Sequence, residues 1–191
     1  MERILFITSN EGKLREASEW LEPSGFTVEA FIVDGKTPEL IEPQAPSLEG
    51  VATSKITQAQ EMVDDPDVWV MVEDSGLFID ELGSFPGVFS AHVYNSIGLD
   101  GILKLMHEVN ERGAEFQACC VIAKGKRRLV SKGVCRGRIS HAVRGENGFG
   151  YDPLFIPDDD PSERTFAEMT SDEKGEMSHR TRALKGLVEM L

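Results

Sequence analysis

Residues 68–76 read VWVMVEDSG, and the fold class follows from how this stretch is read. The run VWVMV is strand length and far short of the roughly 20 apolar residues that span a bilayer. It has no polar residue on either alternating face, so the strand is expected to be buried on both sides, as in the centre of an α/β sheet. Glu73 and Asp74 follow, and Ser75-Gly76 is expected to turn the chain. Ligands of α/β sheets gather at the carboxyl ends of strands. Adjacent acids ending a buried strand are costly unless they are solvated, paired or on a metal. Carboxylate oxygens with no His or Cys cluster select a hard cation such as Mg2+. Two acids that simply mark a turn remain the plain alternative.

Outward from this strand, strand and helix patterns alternate with no linker, repeat or low-complexity tract. Arg3 to Thr8 reads as a buried strand, and Lys13 to Leu21 carries Leu14, Ala17 and Leu21 at helical spacing. Phe26 to Val33 alternates as a second strand. The Pro- and acid-rich segment 34–46 reads as a loop that offers Glu39 or Glu42 as a further metal ligand. Ser47 is a fitting N-cap for a helix to about Met62. A helix is predicted over 99–111, then two strands around a turn at Gly125-Lys126, then a strand at 154–156. Thr170 with Glu173 forms a capping box for a last helix, which carries the stripe Ala183, Leu184, Leu187, Val188 and Leu191. Hairpin and crossover connections together predict α/β with a mixed sheet.

At 191 residues the chain can bury a sizeable core as one domain, or as two lobes sharing one sheet. A net charge of -13 argues against a nucleic-acid groove or an anionic membrane surface as partner. Neither an h-region nor a cleavage site follows Arg3, so a cytoplasmic protein is expected. Cys119, Cys120 and Cys135 have no metal-ligand spacing and read as small buried hydrophobes.

Three further segments carry chemistry. SNEGK (9–13) sits where the first strand enters a helix, and backbone amides at a helix start bind anions. Lys13 adds a point charge, so the segment suits a triphosphate tail, although an ordinary turn with a solvated Lys13 fits equally. GENGFGYDPLF (145–155) sets aromatics among glycines, which suits either a flat ring or a Gly-rich hairpin. In SHRTRALKGL (178–187) Arg180 lies on the apolar helical line, where it would snorkel to water or meet a ligand's acceptors. Lys174 is placed in the first turn of that helix, where the dipole disfavours a cation.

TSNEGK (8–13), SLEGVATSK (47–55), EDSGLFIDELGSFPGVFSA (73–91), FGYDPLF (149–155), TFAEM (165–169) and EKGEMSHRTRAL (173–184) occur in that order over nearly the whole chain. Together they resemble the inosine triphosphate pyrophosphatase family. The resemblance implies a single domain over 1–191, an elongated mixed, twisted sheet flanked by helices, and two lobes around a central substrate cleft. It also implies a homodimer that uses Mg2+ to hydrolyse ITP, dITP and XTP to the monophosphate and pyrophosphate. By position, Thr8, Ser9, Asn10, Glu11, Gly12, Lys13 and Lys55 would hold the phosphates. Asp74 would bind metal and accept the proton, with Ser75 touching substrate. Phe149, Gly150, Tyr151 and Asp152 match the base-binding loop, and Lys174, His179 and Arg180 the residues around the purine. Glu42, rather than Glu39, is taken as the upstream metal ligand. The chain departs from the family pattern at Ser9, Val51 and His92. The rival readings are a related pyrophosphatase for other modified nucleotides and a non-catalytic nucleotide-binding protein.

Overall fold

The structure is a computed structural model that describes residues 2–191. In chain order its elements are β1 (Glu2–Phe6), α1 (Glu11–Leu21), β2 (Phe26–Ala30), α2 (Leu48–Glu61), β3 (Trp69–Ile79) and α3 (Ser90–Leu105). They are followed by β4 (Gly113–Lys124), β5 (Arg127–Ile139), β6 (Phe155–Pro157), α4 (Ser171–Met177) and α5 (His179–Met190). The strands form one six-stranded sheet in the order β2-β1-β3-β4-β5-β6. β1 is parallel to β2 and β3, whereas β5 is antiparallel to β6, so the sheet is mixed as the sequence predicts. Among the described residues no helix is long and apolar enough to cross a membrane.

The chain folds into two compact units. One comprises the chain up to Asp74 with Ala118–Gly133 and Arg180–Leu191; the other comprises Ser75–Gln117 and Val134–His179. The core of the first joins Ile4 and Phe6 of β1, Leu21 of α1, Met71 of β3, Ile122 of β4 and Leu184 of α5. The core of the second contains an aromatic cluster: Phe116 meets Phe155 edge-on at 4.7 Å, and Phe155 lies 5.2 Å from Phe166. Such ring pairs add about 0.5–1.5 kcal/mol each beyond the area they bury. Cys119 and Cys120 alternate on β4 yet both are buried, because the strand is covered on both faces. Burial pushes the Cys119 thiol up to about 12, which leaves it inert.

Several expectations are corrected. β3 does not end at Glu73 and Asp74 but runs through Ser75 and Gly76 to Ile79. Gly76 is required for packing, not for a turn: a Cβ there would collide with the Gly87 carbonyl oxygen. β2 stops at Ala30, short of Val33, which instead bridges to Lys36. The helix predicted over 99–111 starts at Ser90, kinks at Gly98 (φ 62°, ψ -165°) and ends at Leu105. The single last helix is two, because Ser178 is extended (φ -69°, ψ 151°) between α4 and α5. Thr170 and Glu173 do form their capping box, but it starts the seven-residue α4, whereas the apolar stripe lies on α5. Lys174 therefore sits in the last turn of a short helix, and the argument from an unfavourable dipole falls away.

Candidate functional site

SNEGK has a local explanation before a functional one. Asn10 is the N-cap of α1: its Oδ1 accepts from the Lys13 amide at 3.1 Å, and its own amide donates to Thr8 Oγ1 at 3.1 Å. This geometry turns the chain sharply out of β1 and starts α1, which carries Lys13 and, one turn on, Glu16 on the same face. Ser9 and Glu11 are exposed, and Thr8 and Gly12 half-buried.

Glu73 and Asp74 are successive residues of an extended strand, so their side chains leave opposite faces. Glu73, nearly fully buried, meets Lys13 Nζ at 2.6 Å and Arg180 Nε at 3.3 Å. Arg180, itself 2% exposed, also donates to Glu16 Oε2 at 2.5 Å. Burial disfavours the charged guanidinium, but Glu73 and Glu16 outweigh it and hold Arg180 firmly protonated. On the other face, Lys55 Nζ lies 2.7 Å from Glu42 Oε1 and 3.4 Å from Asp74 Oδ1. Burial raises the Asp74 carboxyl above its usual value, with Lys55 and then Lys13 pulling the other way. Burial alone would lower Lys55, but Asp74 and Glu42 outweigh it and hold the ammonium above its usual value. Of Glu39 and Glu42, both exposed on the 34–46 loop, Glu42 is the one whose carboxylate meets Lys55.

The second unit gathers the other predicted residues. Asp152 is 2% exposed, accepts from the Phe149 amide at 2.8 Å and pairs with Lys174 Nζ at 2.8 Å. The Lys174 ammonium stands 4.7 Å from the centre of the Phe149 ring. Gly148 must be glycine, because its φ is 73° and a Cβ would run into the Asp152 carboxylate. Gly150 also has a positive φ of 60°. Tyr151 is turned into the core, donating its hydroxyl to Ser90 O at 2.9 Å and packing edge-on to Tyr94, so its ring supports the loop from beneath. His179 is buried with its ring stacked on Phe116 at 4.6 Å. Ser75 is half-buried on β3.

Chemically, the first unit offers two ammonium groups and a guanidinium bound to carboxylates, and the second offers an aromatic face with a cation held above it. Sequence reasoning missed Glu16 altogether. Its signal was the i, i+3 spacing from Lys13, which means nothing until Arg180 arrives from the far end of the chain.

Comparison with known proteins follows the same outline. The Ham1 family model matches residues 4–190. The dITP/XTP pyrophosphatase of Pyrococcus horikoshii is 46% identical over 189 residues, covering 99% of this chain and 96% of its own. The dITP/XTP pyrophosphatase of Methanopyrus kandleri is 45% identical over 188 residues, covering 98% and 95%. Among solved structures, the Staphylococcus aureus Ham1 protein matches with a TM-score of 0.80 at 26% identity, over 99% of this chain and 97% of that one. A nucleoside-triphosphatase / dITP/XTP pyrophosphatase from Mycobacterium abscessus matches with a TM-score of 0.69 at 34% identity, over 97% and 98%.

Proposed function

The chain belongs to the Ham1 family, and we propose on that premise that it hydrolyses noncanonical purine nucleoside triphosphates (ITP, dITP and XTP) to the monophosphate and pyrophosphate. The observation that carries the reading is the Lys55 ammonium seated on Glu42 and Asp74, in a chain similar throughout its length to dITP/XTP pyrophosphatases. Lys55 there stands in for a cation, so the two carboxylates fit a hard metal ion. Among the described residues no group of three or more His, Cys, Asp and Glu assembles. Mg2+ suits such a sparse site, because it usually takes one or two carboxylates and fills its shell with water and phosphate oxygens. Bound at Glu42 and Asp74, it would neutralise charge developing on the phosphate oxygens.

The protein's own groups do the rest. Thr8, Ser9, Asn10, Glu11 and Gly12, at the start of α1, are assigned to the phosphate tail, with Lys13 and Lys55 as its point charges. Glu73 and Arg180 hold Lys13 in place. Asp74, whose carboxyl is already raised by burial, takes the proton of the attacking water, and Ser75 touches the substrate. The purine is assigned to Phe149, Gly150, Tyr151 and Asp152, with Lys174 and His179 at its edge. Lys174 is a donor-only side chain held at the Phe149–Asp152 loop by its pair with Asp152, and a donor suits a 6-oxo group. A 6-amino group offers that donor no acceptor in return. Arg180, which the resemblance places around the purine, has contacts that suit another part, since both partners named above are carboxylates. A cytoplasmic homodimer with a nucleotide as its partner, and neither nucleic acid nor membrane, completes the proposal.

The experiment is pyrophosphate release from dITP, XTP and dATP, with Mg2+ and with chelator. Release from dITP and XTP that needs Mg2+ and spares dATP is expected. Tight binding of dITP with no pyrophosphate formed would overturn the reading.

A further inference from the structure

Lys55 is carried on α2, and its ammonium lies between Glu42 Oε1 at 2.7 Å and Asp74 Oδ1 at 3.4 Å. Its side chain is only 13% exposed, so the ammonium is lodged in the site and not waving above it. A metal ion reaching the same oxygens would meet that ammonium at close range, and at the largely buried Asp74 end little water screens the repulsion, although Glu42 itself is 58% exposed. The protein by itself has little to offer in exchange, since among the described residues no third His, Cys, Asp or Glu joins the pair. A lysine differs from a fixed ligand in that its charge rides on a flexible four-carbon stem and can be moved to another anion.

We propose that Lys55 is a placeholder for the metal ion: it keeps Glu42 and Asp74 neutralised and metal-free until a triphosphate offers its ammonium other anionic oxygens. Metal and nucleotide then bind as a coupled pair, each strengthening the other. The device avoids capture of free cations by an unfilled acidic pair. It also explains why burying Asp74 beside Glu42 is tolerable in the free protein. The inference rests on the proposed metal role of those two carboxylates.

The test is calorimetric titration of Mg2+, and of Mn2+ as a second probe, into the nucleotide-free protein. Wild type, Lys55→Gln, Lys55→Met and Lys13→Gln are compared, with folding checked by thermal melt. Both Lys55 variants are expected to bind the ion at least about tenfold more tightly than wild type, within the usual range of coupling between sites. Adding Glu42→Gln should remove that gain. Lys13→Gln removes a nearby charge that is seated on Glu73, and should leave the affinity near the wild-type value. Unchanged affinity in the Lys55 variants would overturn the proposal. So would an equal gain in Lys13→Gln, which would mean that only the general field matters. Turnover of dITP by wild type is read separately. An inactive wild type with the expected titrations sinks the proposed function alone, and an active one with flat titrations sinks the placeholder alone.

Discussion

Neighbouring acids on β3 are given different work by the pleat. Glu73 is committed to Lys13 and Arg180, and Asp74 is left facing Lys55. Asp74→Asn is therefore expected to cut dITP turnover by at least about a hundredfold, the usual contribution of a positioned base. Its thermal midpoint should not fall, because burial already disfavours the carboxylate it replaces. Turnover within about tenfold of wild type, roughly 1.4 kcal/mol of barrier, would remove Asp74 from the role. Arg180→Leu tests the other face. It takes the guanidinium from Glu16 and leaves Glu73 with Lys13, and breaking a buried pair in this way costs about 3–5 kcal/mol. Arg180→Lys should recover only part of this, since it lacks the planar fork. Urea unfolding and dITP/dATP specificity constants are measured together. Lost discrimination at unchanged stability would instead return Arg180 to the purine.

At the scale of elements, the segment leading into α4 is held by charge as well as by the burial of Phe166 and Met169. Arg164 donates to Asp160 and to Glu173, and Glu173 closes the capping box of α4 on the Thr170 amide. The Arg164 hydrogen bond, followed by the Thr170 amide, lowers the Glu173 carboxyl from 4.5 to about 2, and Asp160 is lowered chiefly by the same arginine. A depressed carboxyl contributes stability that is present above its unfolded value and lost as the pH falls through its folded one. The loss belongs between about pH 4.5 and pH 2. Arg164→Met should flatten that acid limb in a series of urea midpoints and leave the slope above pH 6 unchanged. An identical acid limb in the variant would show that these pairs are too exposed to matter. The Thr170–Glu173 signal was legible in the sequence because a capping box is a local device. The break at Ser178 was not, since neither Gly nor Pro marks it.

For the whole molecule, two apolar cores carry the fold, one in each unit, and the acidic pair already has Lys55 as its cation. Chelation is expected to abolish pyrophosphate release while leaving the thermal midpoint unchanged. A fall in midpoint with chelator alone would mean that a metal ion is part of the resting fold. The sequence by itself determined the α/β class, the buried β3, the β4–β5 turn at Gly125-Lys126 and the capped start of α2. Each of these rests on periodicity or on a cap within a few residues. It also named Lys13, Lys55, Asp74, Asp152, Lys174 and Arg180, whose ion pairs the structure describes, through motifs that resemble a family's. Only the tertiary structure decided that β3 continues past Asp74, because Gly76 is there for the approach of the Gly87 carbonyl. The tertiary structure alone also gave Arg180 its carboxylates and brought in Glu16, residues separated by nearly the whole chain. A buried charge is specified by its partner, and where that partner lies far along the chain no local pattern can name it.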